Sequence, residues 1–439
     1  MAAVVDPDRN VQPYLDVARS RGLKITHVIE THLHADHVSG NTDLAQQTGA
    51  DIYLHEAAHA EFPHQTLKDG DTLQIGNVQL VARHTPGHTP ESITLFVVDQ
   101  IRGADPWMAL TGDTLFVGDV GRPDLVGAEA AQELSGNLYD SLFTALLSQD
   151  DGLLIYPGHG AGSLCGRSIG SVRSSSLGFE WRHNPALAMR DRTSFIEYMT
   201  TNLPEQPANH KRIKAMNRQG PPPLGSIGPL PLSIQDAIDH FQRGAALLDT
   251  RSKAEYVRTH VPGSVHLEAD NQLSGRIGFV LPPDLPIVLL LESEADYRQV
   301  VLSLARVGYD RIVGYLRGGI DAWERAGLPV TSGDIEDIEP SELHRLLSDG
   351  NRPVVVDVRE PWEYAQARIP GSKLIPVGEL NARVKELDTQ QPVAVVCATG
   401  SRSQSAAALL GRNGFSKVYN VVGGIYSWQF AGLPLERGR

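Results

Sequence analysis

In the first half of the chain, short apolar runs bounded by Gly, Pro, Asn and Asp alternate with stretches whose apolar positions recur every three or four residues. The pattern predicts strands over 2–5, 26–30, 51–54, 72–75, 78–81, 93–98, 108–111 and 153–156. It also predicts a helix over 11–21 and a further helix capped by Asn41. Gly76-Asn77, between two of the strands, is a hairpin-turn signal. Gly220-Pro221-Pro222-Pro223, continuing to Pro231, lacks amide donors and fixes φ, so it reads as a stiff linker.

After that linker the sequence repeats itself. Leu247-Leu248-Asp249-Thr250-Arg251, Glu255-Tyr256 and Val261-Pro262-Gly263-Ser264 return as Val355-Val356-Asp357-Val358-Arg359, Glu363-Tyr364 and Ile369-Pro370-Gly371-Ser372. The copies also end alike, with Gly318-Gly319-Ile320, Trp323 and Ala326-Gly327-Leu328-Pro329 against Gly423-Gly424-Ile425, Trp428 and Ala431-Gly432-Leu433-Pro434. Buried-type strands alternate with helices in both, which predicts two small α/β domains with mostly parallel sheets. The expected division is 1–219 for the first domain, 220–233 for the linker, 234–331 for the first repeat and 335–439 for the second.

Composition narrows the function classes. At 439 residues the chain is too long for one core. Its formal net charge of −13 disfavours nonspecific nucleic-acid binding, which needs clustered Lys and Arg. No apolar run is long enough to span a membrane, and the N-terminus shows no secretory pattern. The only two cysteines, Cys165 and Cys397, lie far apart, so a disulfide framework is not expected and a reducing, cytoplasmic setting fits best.

Thr31-His32-Leu33-His34-Ala35-Asp36-His37 follows an apolar strand and places four metal-binding side chains within six positions. A loop at a strand end can aim such groups at one point from a rigid support. Imidazole and carboxylate suit Fe, Zn or Mn, and the absence of thiols argues against a structural zinc site. His88 in Thr85-Pro86-Gly87-His88, Asp113 in Thr111-Gly112-Asp113 and His159 in Pro157-Gly158-His159 follow strands in the same way. Taken singly, such histidines are more often solvated surface residues than ligands; the series as a whole points to a metal.

These motifs resemble the metallo-β-lactamase superfamily, in its glyoxalase II and persulfide dioxygenase branch, over roughly the first 220 residues. The resemblance implies an αββα sandwich, followed here by two α/β rhodanese-like domains. In glyoxalase II relatives, the positions of His32, His34, Asp36, His37, His88, Asp113 and His159 hold two metals. In persulfide dioxygenases, those of His32, His88 and Asp113 hold one Fe(II) per chain, with the other four around it. Relatives of this branch carry about two more strands before the segment matching 2–7. Either the start is placed late here or the first sheet lacks an edge, and no metal ligand is lost.

Three segments resemble dioxygenases fused to rhodaneses: Glu61-Phe62-Pro63-His64, Gly118-Asp119-Val120-Gly121-Arg122-Pro123-Asp124, and Gly158 to Gly166. Arg122 either engages a carboxylate of a thiol carrier or pairs with Asp124. Cys165 is either a chemical group at the pocket or a buried, inert thiol.

In the last repeat the strand over 393–396 runs into Cys397-Ala398-Thr399-Gly400-Ser401-Arg402-Ser403 and then an Ala/Leu-rich helix. Such a loop turns its amides inward above a helix N-terminus and suits a persulfide or an oxyanion. Cysteine phosphatases carry C-x5-R, which would need Arg where Ser403 stands. The D-x-R segment of Asp357 and Arg359 and the Gly-Gly-Ile ending resemble rhodaneses instead, which makes Cys397 the sulfur-carrying nucleophile with Arg402 beside it. In the first repeat Leu291 takes the cysteine position, with Glu294 and Asp296 near those of the glycine and arginine, so that copy is expected to be inactive and its pocket acidic.

The resemblance implies O2-dependent oxidation of a small thiol persulfide to sulfite, linked to thiosulfate through a Cys397 persulfide. It also implies self-association, which relatives of this kind often show. The alternatives are a binuclear thioester hydrolase, with zinc as the metal, and a persulfide carrier or sensor without turnover.

Overall fold

The computed structural model describes every residue except 128, 168, 202, 204, 205, 208, 349–351 and 439. Two compact units emerge: 1–206 with 210–225, and 207–209 with 226–439.

The first unit holds two sheets. In one, Ala2–Val5, Ile25–Ile29, Asp51–His55 and Gln65–Leu67 lie side by side and parallel. In the other, the order is Ser175–Ser176, Leu154–Pro157, Met108–Gly112, Ile93–Asp99, Val78–His84 and Thr72–Ile75, antiparallel apart from the pair of Met108–Gly112 with Leu154–Pro157. Period-two alternation explains how one strand serves two cores. Along Ile93–Asp99, Ile93, Leu95 and Val97 join Ile29 and Leu67 between the sheets, whereas Phe96 faces Leu138, Leu142 and Phe195 of the outer helices. On the far side, the helices Gln12–Ser20 and Asn41–Thr48 bury Ala18 and Leu44 against Val28, Ile52 and Leu54. The layers are therefore helix, sheet, sheet, helix: the αββα sandwich expected from the motifs.

Two local expectations shift. The hairpin at Gly76-Asn77 forms, with Ile75 paired to Val78, but its second strand continues to His84, opposite Ile93. The helix expected to be capped by Asn41 instead starts at that residue, with Gly40 as cap. Gly40 is forced into this place by packing: a Cβ there would lie 2.3 Å from the Asp8 carbonyl oxygen.

In the second unit one topology occurs twice. Pro231–Leu232, Ile312–Leu316, Ile287–Leu290, Ala246–Asp249 and Val265–His266 form one parallel sheet, in that order. Ile335–Ile338, Val418–Val421, Val393–Val396, Val354–Asp357 and Lys373–Leu374 form the other. Every position of Ile287–Leu290 and Val393–Val396 is buried, the signature of parallel strands covered on both faces. The repeated sequence signatures are structural devices. Trp323 and Trp428 each donate an indole N–H to a proline carbonyl, of Pro329 and Pro434, at 2.9 Å. Arg251 and Arg359 each pair with the buried aspartate two residues earlier at 2.6 Å, and each also donates to a backbone carbonyl, of Thr259 or Ala367.

Removing one partner of such a pair strands the other charge. Asp357→Ala is expected to destabilise the chain by about 3–5 kcal/mol, read as a lowered midpoint in urea unfolding followed by circular dichroism.

Candidate metal centre and cysteine loop

The histidine loop leaves the strand Ile25–Ile29 and is pinned by carboxylates. Asp6 accepts from the Thr31 amide at 2.6 Å and from the Thr31 hydroxyl at 2.8 Å, and Glu91 accepts from the Leu33 amide at 3.0 Å. His32 is thereby set with Nδ1 against the Thr31 hydroxyl, 2.9 Å away. His88 donates from Nδ1 to the Arg122 carbonyl at 2.8 Å, which leaves its Nε2 facing Asp113, 3.3 Å from Oδ2. Asp113 Oδ2 also lies 3.8 Å from His32 Nε2. Gly121 permits this closeness, since a Cβ there would fall 1.9 Å from the Asp113 carbonyl oxygen and 2.9 Å from His88 Nδ1.

His32, His88 and Asp113 are all buried, and one ligand atom from each lies within 4.8 Å of the others. Among the described residues, neither Nε2 has a hydrogen-bond partner. A buried polar atom left in that state costs about 1–3 kcal/mol; a cation held by both nitrogens and the carboxylate removes the cost. Burial pushes the imidazoles of His32 and His88 down, towards the neutral form that ligates metals. Burial opposes ionisation of Asp113, but His159, His32 and His88 outweigh it and hold the carboxyl far below the usual range. The donor set fits a metal ion.

The remaining histidines close around the same point. His159 bridges two carboxylates, with Nδ1 2.8 Å from Asp113 Oδ1 and Nε2 2.8 Å from Asp36 Oδ2. Burial opposes its protonation, yet Asp113 and Asp36 prevail and push it well up. Asp36 also reaches His37 Nδ1 at 3.2 Å. The His34 Nε2 lies 3.2 Å from Asp6 and 3.3 Å from Glu30, two acids that the sequence pattern does not single out. Asn217 is another addition. On the helix His210–Gln219, it donates to the carbonyls of His34 and His37 at 2.8 Å and accepts from the Ser39 amide. Its sequence signal is weak: an amide on the buried face of an amphipathic helix.

The guanidinium of Arg122 is buried and forked onto Asp124 at 2.7 and 2.8 Å, and it also reaches the Leu164 carbonyl. Of the two options open to it, the structure holds the ion pair. Cys165 is buried beside Asp36 and His159. Burial, then Asp36 and Asp113, push its thiol well above the ordinary range, which disfavours thiolate chemistry.

At the other site, Cys397 follows Val393–Val396 and is buried. The Gly400 amide donates to its sulfur at 3.1 Å, and the Ser403 hydroxyl lies 3.4 Å away. Gly400, at φ +107°, caps the helix Ser401–Arg412. Gly424 packs directly on the loop, where a Cβ would stand 2.2 Å from the Cys397 carbonyl oxygen. Arg402 makes a bidentate pair with Glu363 at 2.7 and 2.8 Å, so its guanidinium clamps the loop to the neighbouring helix Pro361–Gln366. In the first repeat Leu291 occupies the cysteine position at the end of Ile287–Leu290, beside a cavity of about 300 Å³ lined in part by Glu292, Glu294 and Asp321. Glu294 accepts there from the Tyr315 hydroxyl and the Gly318 amide.

Residues 3–159 match the model described as the metallo-beta-lactamase superfamily, and 233–326 and 339–431 each match the rhodanese-like domain. The chain is 31% identical over 160 residues to the mitochondrial persulfide dioxygenase ETHE1 of Bos taurus, covering 36% of this chain and 58% of that protein. The match thus spans little more than half of that relative. A sulfurtransferase of Allochromatium vinosum is 34% identical over 101 residues, covering 23% of this chain and 94% of its own length. A metallo-beta-lactamase from Staphylococcus aureus, solved by crystallography, is similar with 31% identity and a TM-score of 0.63, over 72% of this chain and 91% of that one. The chain belongs to the metallo-β-lactamase superfamily. With two rhodanese-like domains behind that fold, its make-up is that of a persulfide dioxygenase–rhodanese fusion.

Asp113→Asn keeps the shape but removes the charge that links both imidazoles to a cation. Metal retained through desalting, read by elemental analysis, is expected to fall at least about tenfold, whereas Cys165→Ser is expected to retain it.

Proposed function

We propose that the first domain oxidises a low-molecular-weight thiol persulfide with O2 to sulfite and free thiol, and that Cys397 exchanges sulfane sulfur with sulfite or thiosulfate. The observation that carries the first half is the pair of unpartnered nitrogens on His32 and His88 beside the ionised Asp113. Two imidazoles and one carboxylate are the donor set of non-haem Fe(II) oxygenases. These three residues would hold one iron per chain, which would supply the redox chemistry between O2 and a persulfide. The conversion consumes one O2 and one water per persulfide, and the terminal sulfur leaves as sulfite.

The chain's own residues prepare that site. The Arg122 carbonyl fixes the tautomer of His88 by accepting from Nδ1, and the Thr31 hydroxyl holds His32. His159 carries a proton between Asp113 and Asp36 at 2.8 Å from each, a donor poised beside the reacting region. Burial of the ligands keeps bulk water away.

In the last domain, Cys397 attacks the outer sulfur of thiosulfate. A Cys–S–S bond forms as the S–S bond of thiosulfate breaks, and sulfite departs with the electron pair. The reverse step makes thiosulfate from sulfite produced by the first domain. The Gly400 N–H, aimed at sulfur, and the N-terminus of Ser401–Arg412 stabilise the anion in either direction. Leu291 cannot carry sulfur, so the first repeat has no such step.

A second reading, a two-metal thioester hydrolase, is favoured by His34, Asp36 and His37, whose ligand atoms also lie within 4.8 Å of one another. An oxygen electrode separates the two. Iron-loaded protein with glutathione persulfide is expected to consume O2 and release sulfite; thioester hydrolysis without O2 uptake would favour the second reading. Cys397→Ser is expected to lose thiosulfate:cyanide sulfur transfer while O2 uptake stays at the parent rate.

A further inference from the structure

We propose that Arg276, from the inactive repeat, is a positioning residue for the Cys397 loop of the active one. The inference rests on the reading of Cys397 as the sulfur carrier.

Arg276 lies on the helix Leu273–Val280 with its side chain only 7% exposed. A guanidinium that far from water needs an acceptor for each donor. Three acceptors come from its own segment: the Asp270 carboxylate, the Glu268 carbonyl at 3.1 Å and the Gln272 carbonyl at 3.4 Å. The fourth is Gln404 Oε1, 2.7 Å from Nη1, and it belongs to the other repeat.

Gln404 sits in the first turn of Ser401–Arg412, the helix whose N-terminus underlies the cysteine loop. Its own amide donates to the Gly400 carbonyl at 3.2 Å, and the Gly400 amide is the group aimed at the Cys397 sulfur. The buried cation is therefore linked to the sulfur by three hydrogen bonds, through Gln404 and Gly400. Rotation of that first turn, which would swing Gly400 N–H off the sulfur, breaks the bond to Gln404 and leaves a desolvated charge short of an acceptor. The surrounding contact is firm. Tyr256 and Phe279 of the first repeat pack into the core that holds Val356, Ala406, Ala407 and Leu410, and Arg412 donates to the Val280 carbonyl at 3.4 Å. Beside Arg276 and Gln404 remains a cavity of about 20 Å³, room for no more than about one water.

The active repeat supplies an internal contrast. Its corresponding helix, Val377–Arg383, also carries an arginine, but Arg383 pairs with Glu379 and Glu386 on the surface. The inward arginine belongs to the copy that lost its cysteine. Arg402 lies close enough to Cys397 to interact with it and is flanked by Glu363 and Glu360, and the test substitutions alter none of these charged groups.

Arg276→Met, Gln404→Leu and the double variant are made in the full chain. Thiosulfate:cyanide kinetics are recorded for each, with the rate of Cys397 alkylation by iodoacetamide read by mass spectrometry of its peptide. Each single change is expected to lower kcat about tenfold with the thiosulfate KM within about twofold, and to change the alkylation rate. The double variant is expected to be no worse than either single one. Arg276→Lys, which keeps the cation, is expected to recover part of kcat. Parent kcat in the folded variants, effects that simply multiply in the double, or a change confined to KM would overturn the proposal. If Arg276→Met fails to fold, Gln404→Leu decides alone, since it leaves Arg276 with Asp270 and the Glu268 carbonyl. Absence of sulfur transfer in the parent protein would instead sink the sulfurtransferase reading, and the alkylation cycle would still decide whether Arg276 positions the loop.

Discussion

Two imidazole nitrogens, on His32 and His88, lie buried beside the ionised carboxylate of Asp113 with no hydrogen-bond partner among the described residues, and much of the first domain serves to keep them there. Burial shields them from bulk water, and their second nitrogens are already engaged by Thr31 and the Arg122 carbonyl. The strand ends before His32, His88 and Asp113 provide the rigid supports. Asp6, Glu91 and Asn217 tie the intervening loops, and Gly121 admits the backbone approach that brings two of the supports together. A site built this way has one evident remedy for its desolvation, a coordinated cation.

The C-terminal half shows duplication separating stability from chemistry. Both copies keep the buried Asp–Arg pair and the tryptophan bonded to a proline carbonyl, because those devices hold the fold. Only one keeps Cys397 with an amide directed at its sulfur. With Leu291 in the cysteine position, Glu294 engages the Tyr315 hydroxyl and the Gly318 amide. The copy with leucine at that position contributes a buried side chain instead: its Arg276 reaches across to the helix that follows Cys397.

Strand-end histidines and the duplicated halves were legible in the sequence because local patterning encodes them: an apolar run, a tight loop and a polar side chain. Groups that act across long separations were not. Asn217 reaches the His34 carbonyl over 183 positions, and the local pattern marks it only weakly. Asp6 and Glu30 look like ordinary acids at strand ends until His34 is found between them. Arg402 stands five positions after Cys397, and nothing in that local pattern marks its bidentate pair with Glu363, which the helix Pro361–Gln366 presents from the preceding segment. The cap at Gly40 moved for a similar reason, since only packing against Asp8 reveals that a side chain has no room there.

The most direct measurement is the metal content of protein purified without added metal, together with the coordination of that metal by X-ray absorption. About one iron per chain, bound by two histidine nitrogens with oxygen donors in the remaining positions, is the predicted result. Two zinc ions per chain, or a metal that leaves His88 uncoordinated, would contradict the account.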